Sequence, residues 1–104
     1  MEKVLKKVDE LHEYYVNLLK DMVSIATVVP PGENYKEFVE YGKEVLKDLG
    51  MEVSVVEVPK DYLAKHIPEM KDNPRYILLG RLKGDGKTTL HFNGHYDVVP
   101  PGAG

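Results

Sequence analysis

The chain has 104 residues, of which 42% are hydrophobic and 30% charged, a composition typical of one small globular domain. Its formal net charge of −3 argues against a nucleic-acid partner, because nucleic acid attracts clustered positive charge. The absence of cysteine excludes a disulfide framework, a thiolate zinc site and a cysteine nucleophile.

A long amphipathic helix is predicted at the start of the chain. Apolar residues recur from Val4 to Ile25 in alternating steps of four and three, a stripe wide enough to pack against a sheet. Pro30 and Pro31 end this helix, because proline lacks a backbone donor. The first residues open a charged amphipathic pattern rather than an apolar signal core, and no apolar run is long enough to cross a bilayer. We therefore expect a cytoplasmic protein with no membrane partner.

A second helix is predicted to end near Leu49. Asn34 lies three residues before Glu37, which is the spacing of an N-terminal capping box. Gly50 stands where a left-handed C-terminal cap belongs.

Three strands are predicted in the second half of the chain, at residues 51–58, 75–82 and 88–93. Residues 59–74 contain three prolines and are predicted to form a loop with one helical turn around residues 62–64. The glycines within residues 83–87 favour a hairpin between the last two strands. The expected fold class is α/β, with two helices packed on a small mixed sheet.

Residues 86–88, Gly-Lys-Thr, have the ending of a phosphate-binding loop. That motif needs a further glycine five residues before Gly86, where the chain has Arg81. A nucleotide site is therefore a weak alternative, and the plain hairpin turn is favoured.

His95 and Asp97 follow the third predicted strand and are two residues apart. In extended backbone, side chains two apart project to the same side. A histidine that binds a metal usually donates its other ring N–H to a carboxylate, so the pair suits a metal ligand with an orienting acid. The alternative is a surface histidine paired with a nearby aspartate, since a zinc site takes three or four ligands.

Residues 94–100, Gly-His-Tyr-Asp-Val-Val-Pro, resemble the first metal-binding motif of a zinc-dependent hydrolase family. That family comprises aminoacylases, acetylornithine deacetylases, succinyl-diaminopimelate desuccinylases and carboxypeptidase G. The upstream order is similar too: a long first helix, a Val-Pro-Pro-Gly-Glu stretch at residues 29–33, a second helix and a valine-rich strand. The resemblance thus covers essentially the whole chain and implies the N-terminal part of a zinc-exopeptidase-like catalytic domain, residues 1–104.

The resemblance implies that His95 binds one zinc of a two-metal site, with cobalt as a possible substitute. Asp97 is then the catalytic-site carboxylate that orients His95, and Tyr96 occupies a variable position without an assigned role. The substrates would be N-acyl amino acids or small peptides, whose amide bond a metal-activated water attacks.

The family's other ligands and its glutamate base lie downstream of this motif. We therefore expect an N-terminal fragment of the hydrolase that is inactive alone and associates with itself or with the missing remainder. The alternative is a non-catalytic, stand-alone αβ interaction module that retains the family's first segment.

Overall fold

The computed structural model describes residues 1–102, which form an α/β fold and confirm the predicted fold class. The elements in chain order are α1 (Glu2–Glu10), α2 (His12–Ser24), α3 (Tyr35–Asp48), β1 (Glu52–Glu57), α4 (Lys60–His66), a 3₁₀ turn (Pro68–Met70) and β2 (Tyr76–Arg81). No helix in this part of the chain has the length and apolar character needed to cross a lipid bilayer.

The two strands form an antiparallel pair. Glu52 lies opposite Arg81 at one end of the pair, and Glu57 lies opposite Tyr76 at the other. Helix α3 packs on both strands, with its Leu46 side chain close to Gly80 of β2. Helix α3 and the two strands therefore form one packed unit.

The buried core lies at the start of α3 rather than under the middle of the sheet. Tyr35, Phe38 and Val39 are at most 8% exposed, and Leu63 of α4 is 3% exposed. The one buried polar side chain among the described residues is Thr27, in the segment that follows α2. The most buried part of the molecule is therefore formed by the start of α3, Leu63 of α4 and Thr27 in the segment after α2.

The first predicted helix is divided at Leu11 into α1 and α2, and it does not pack on the sheet as the stripe predicted. Neither α1 nor α2 contains a buried residue, and of the two predicted helices only α3 makes extensive contact with the strands. Neighbouring strands lie about 4.8 Å apart, so a two-stranded sheet is only about as wide as a single helix. Helix α3 therefore leaves no room for a second helix on its face of the sheet.

The predicted strand at 88–93 and the predicted hairpin at 83–87 are wrong. Residues 82–97 contain no helix or strand, and β2 pairs with β1 instead. Leu90 and Phe92 are 78% and 85% exposed. A β-forming sequence becomes a strand only where a neighbour satisfies its backbone N–H and C=O groups, and nothing within residues 1–102 does so here.

Of the caps predicted for the two ends of α3, one is wrong and the other is confirmed. The predicted Asn34 capping box is wrong: Asn34 adopts a left-handed conformation with φ of 60°, and its Nδ2 donates to the Ala26 carbonyl at 2.8 Å. The predicted cap at Gly50 is confirmed, with φ of 82°. The Gly50 N–H donates to the Lys47 carbonyl and the Met51 N–H to the Leu46 carbonyl, which is the Schellman arrangement.

The predicted helical turn around residues 62–64 is longer than expected. It forms α4, Lys60–His66, and buries Leu63.

Candidate functional site

The structure brings His95 and Asp97 into direct contact. His95 Nδ1 lies 3.2 Å from Asp97 Oδ1 and 3.1 Å from the Asp97 backbone oxygen. In the tautomer that carries its proton on Nδ1, His95 donates to Asp97 and keeps the lone pair of Nε2 for a ligand. The His95 side chain is 80% exposed and that of Asp97 44%, so a ligand can reach the pair from solvent.

The segment that carries this pair is held against the chain just after α2. The Val98 N–H donates to the Thr27 carbonyl at 3.0 Å, and the Val29 N–H donates to the Val98 carbonyl at 2.8 Å. These bonds form a short parallel bridge between Val28 and Val98. The backbone around the candidate ligand is therefore fixed by residues about seventy positions earlier.

Thr27 adds a side-chain hydrogen bond to this bridge. Its Oγ1 donates to the Tyr96 carbonyl at 2.6 Å, and the Thr27 side chain is almost wholly buried. The carbonyl between His95 and Asp97 is thus satisfied by a buried donor.

Tyr96, to which the sequence assigned no role, points into the molecule. Its ring stacks on that of Phe38 with centroids 4.6 Å apart, and it meets the Tyr35 ring edge to face at 5.1 Å. Its hydroxyl donates to the Tyr76 carbonyl at 2.7 Å, and burial raises the pKa of Tyr96 to about 12. Alternation was the signal that could have identified it, since a residue between two outward-facing neighbours faces inward.

Arg75 supports this aromatic cluster from the other side. Its guanidinium lies 4.9 Å from the centroid of the Tyr35 ring, at the distance of a cation–π contact. The same group donates to the Pro31 carbonyl at 2.7 Å and to the Gly32 carbonyl at 3.3 Å. The proline-containing loop and the Tyr35 ring are therefore held by one side chain.

An open, mainly apolar groove of about 400 Å³ is lined in part by His95. Leu19 and Met22 of α2 line one part of it, and His95, Val98 and Val99 line another. His95 therefore lies where a polar ligand atom and an apolar group could be held side by side.

A complete metal site is not formed by residues 1–102. Within this range no three histidine, aspartate or glutamate side chains are grouped so that they could hold a metal ion. His66 instead stacks against Tyr62, with ring centroids 4.2 Å apart. The His95 imidazole, with Asp97 as its carboxylate partner, fits the requirements of a zinc ligand. It supplies one ligand of a site that needs three or four.

Comparison with models of known protein families gave no match, and comparison with curated proteins and with solved structures gave none either. The family resemblance of residues 94–100 therefore remains a prediction from sequence.

Proposed function

We propose that this chain supplies one metal ligand and its orienting carboxylate to a zinc-dependent hydrolase of the aminoacylase and acetylornithine deacetylase type. In this proposal the chain is the N-terminal part of a cytoplasmic enzyme that cleaves the amide bond of N-acyl amino acids or small peptides. The supporting observation is the contact of 3.2 Å between His95 Nδ1 and Asp97 Oδ1.

Each residue of the pair has a defined task. Asp97 accepts a hydrogen bond from the Nδ1–H of His95, which fixes the ring orientation and makes Nε2 a better electron-pair donor to a metal. A zinc ion bound there supplies Lewis-acid polarisation of the substrate carbonyl and a more acidic water. With a single imidazole and no nearby third ligand among the described residues, we expect no hydrolysis by this chain alone.

The test is metal binding at single-histidine resolution. Zn²⁺ is added to ¹⁵N-labelled protein while the ring nitrogens of all four histidines are followed by NMR. We expect the Nε2 signal of His95 to shift first and Asp97→Asn to weaken this response about tenfold. In His95→Ala the other three histidines should stay unshifted at the Zn²⁺ concentration that shifts His95 in the unmodified chain.

His91→Ala is the matched control, because His91 is also exposed and lies four residues earlier. It should leave the response of His95 unchanged. A response of equal strength at every histidine would contradict the proposal, as would an unchanged His95 response in Asp97→Asn.

The alternative function, a non-catalytic interaction module, is favoured by the exposed apolar surface of α1 and α2. Val4, Leu5, Leu19 and Val23 are 59%, 58%, 60% and 73% exposed. Isolated helices shorter than about 12 residues are marginal in water, and α1 has 9 residues, none of them buried. We propose that a second copy of the chain covers this surface.

The charges of α1 suit an antiparallel pairing of two copies. After Glu2, α1 has three lysines at positions 3, 6 and 7 and then acids at positions 9 and 10, and Glu13 follows in α2. Side by side and antiparallel, the basic half of one helix faces the acidic half of the other, as a two-fold interface requires.

Sedimentation velocity at micromolar concentration tests this pairing. We expect a dimer for the unmodified chain and a monomer for Leu5→Glu. Leu82→Glu is the control, because Leu82 is similarly exposed, at 66%, but lies far from α1 along the chain. A monomeric unmodified chain would exclude this function.

A further inference from the structure

We infer that Tyr96 is a positioning residue, which sets the orientation of the His95 and Asp97 side chains by anchoring the backbone between them. The inference rests on the function proposed for that pair. Tyr96 would have this role although its own side chain points away from the side on which His95 would bind a metal.

The first step is that the pair cannot fix its own geometry. Both side chains are largely open to solvent, at 80% and 44% exposure, and their described hydrogen bonds are to each other. A contact between exposed groups contributes little, because solvent screens it and two side chains lose rotamer freedom. The short distance between His95 and Asp97 must therefore come from the backbone that joins them.

The second step is that this backbone is anchored through Tyr96. Its carbonyl accepts from buried Thr27 Oγ1 at 2.6 Å, and its hydroxyl donates to the Tyr76 carbonyl at 2.7 Å. Its ring lies against Phe38 and Tyr35 of α3. One residue is thus attached to the segment after α2, to α3 and to β2.

The third step is the consequence for the neighbours. The Tyr96 ring is directed inward, and the His95 and Asp97 side chains lie in contact with each other on the more exposed side. Any rotation of the Tyr96 backbone moves both of them. The anchor therefore determines whether Nδ1 meets the carboxylate and Nε2 stays available beside the groove.

The experiment measures the tautomer of His95 directly. Ring ¹⁵N shifts are recorded at a pH high enough that the spectra themselves show neutral imidazoles. In the unmodified chain we expect His95 to carry its proton on Nδ1, and exposed His91 to show the mixture of an unconstrained ring. Tyr96→Leu should convert the His95 spectrum into one like that of His91, and should weaken Zn²⁺ binding at His95 at least about tenfold.

Leu63→Ala separates positioning from a general loss of stability. Leu63 is buried on α4 and takes part in none of the hydrogen bonds or aromatic contacts of Tyr96 and the pair. Its truncation should lower the melting temperature and leave the His95 tautomer unchanged. A His95 spectrum that Tyr96→Leu leaves unaltered would overturn the inference.

If Tyr96→Leu does not fold, Tyr96→Phe tests the positioning role of Tyr96. It keeps the ring and removes only the hydroxyl bond to Tyr76. We expect a smaller but measurable loss of the Nδ1–H tautomer, and an unchanged population would overturn the inference. A His95 that keeps its tautomer but takes up no Zn²⁺ contradicts the proposed function instead, so the two failures are distinguishable.

Discussion

Replacing Thr27 by valine should destabilise the protein by about 2 kcal/mol, because a buried carbonyl loses its donor. Thr27 is 2% exposed, and its Oγ1 donates to the Tyr96 carbonyl at 2.6 Å. Valine has nearly the same volume and keeps the backbone bonds of residue 27. Its added methyl cannot approach an oxygen that closely, which increases the loss.

The assay is urea unfolding followed by circular dichroism. For a chain of this size the free energy of unfolding falls by about 1 to 2 kcal/mol per molar urea, so the midpoint should drop by about 1 to 2 M. Thr27→Ser keeps the hydroxyl and loses one methyl, and should cost only about 1 kcal/mol.

Thr88→Val is the matched control, since it makes the same chemical change at an exposed position. It should alter the free energy of unfolding by less than about 0.5 kcal/mol. The reasoning is refuted if Thr27→Val resembles Thr88→Val, or if Thr27→Ser is as damaging as Thr27→Val.

Two further predictions concern the proline-containing loop and alkaline pH. Gly32 and Gly50 both have positive φ, so alanine costs about 1 to 2 kcal/mol of strain at each. At Gly32 the added Cβ would also lie 2.5 Å from Arg75 Cζ, whereas at Gly50 it meets nothing within 4 Å. Gly32→Ala should therefore lose more stability in urea unfolding, by about another 1 to 2 kcal/mol, and equal losses would show that the Arg75 contact is unimportant. Burial raises the pKa of Tyr96 from 10.0 to about 12, so the folded chain retains a proton that the unfolded chain releases. This stabilisation is complete below pH 10 and is lost as the pH rises through 12, and Tyr96→Phe should have a flatter dependence of stability on pH in this range. Burial also raises the pKa of Tyr35, so part of the dependence should remain, and identical slopes in the two proteins would contradict the assignment.

The elements that the sequence predicted well depend on contacts within a few residues. Helix α3 follows from apolar spacing along one helical face, and β1 and β2 follow from β-branched and apolar runs. The Gly50 cap follows from the ability of glycine to adopt positive φ. The contact between His95 and Asp97 is also local, and it was expected from their spacing of two residues.

The errors all involve a choice of partner. Asn34 donates from its Nδ2 to the Ala26 carbonyl eight residues earlier, and its Oδ1 accepts nothing from the first turn of α3. The run at 88–93 has β-forming residues but pairs with no strand in residues 1–102, where β2 pairs with β1 alone. Local spacing does not contain that information.

The sequence by itself therefore determined α3, β1 and β2 and the closeness of His95 and Asp97. Only the tertiary structure decided that Thr27, 69 positions from Tyr96, would donate to the carbonyl inside that pair. The reason is physical: periodicity reports which face of a segment is apolar, whereas hydrogen bonding and burial between distant segments are settled when they pack together.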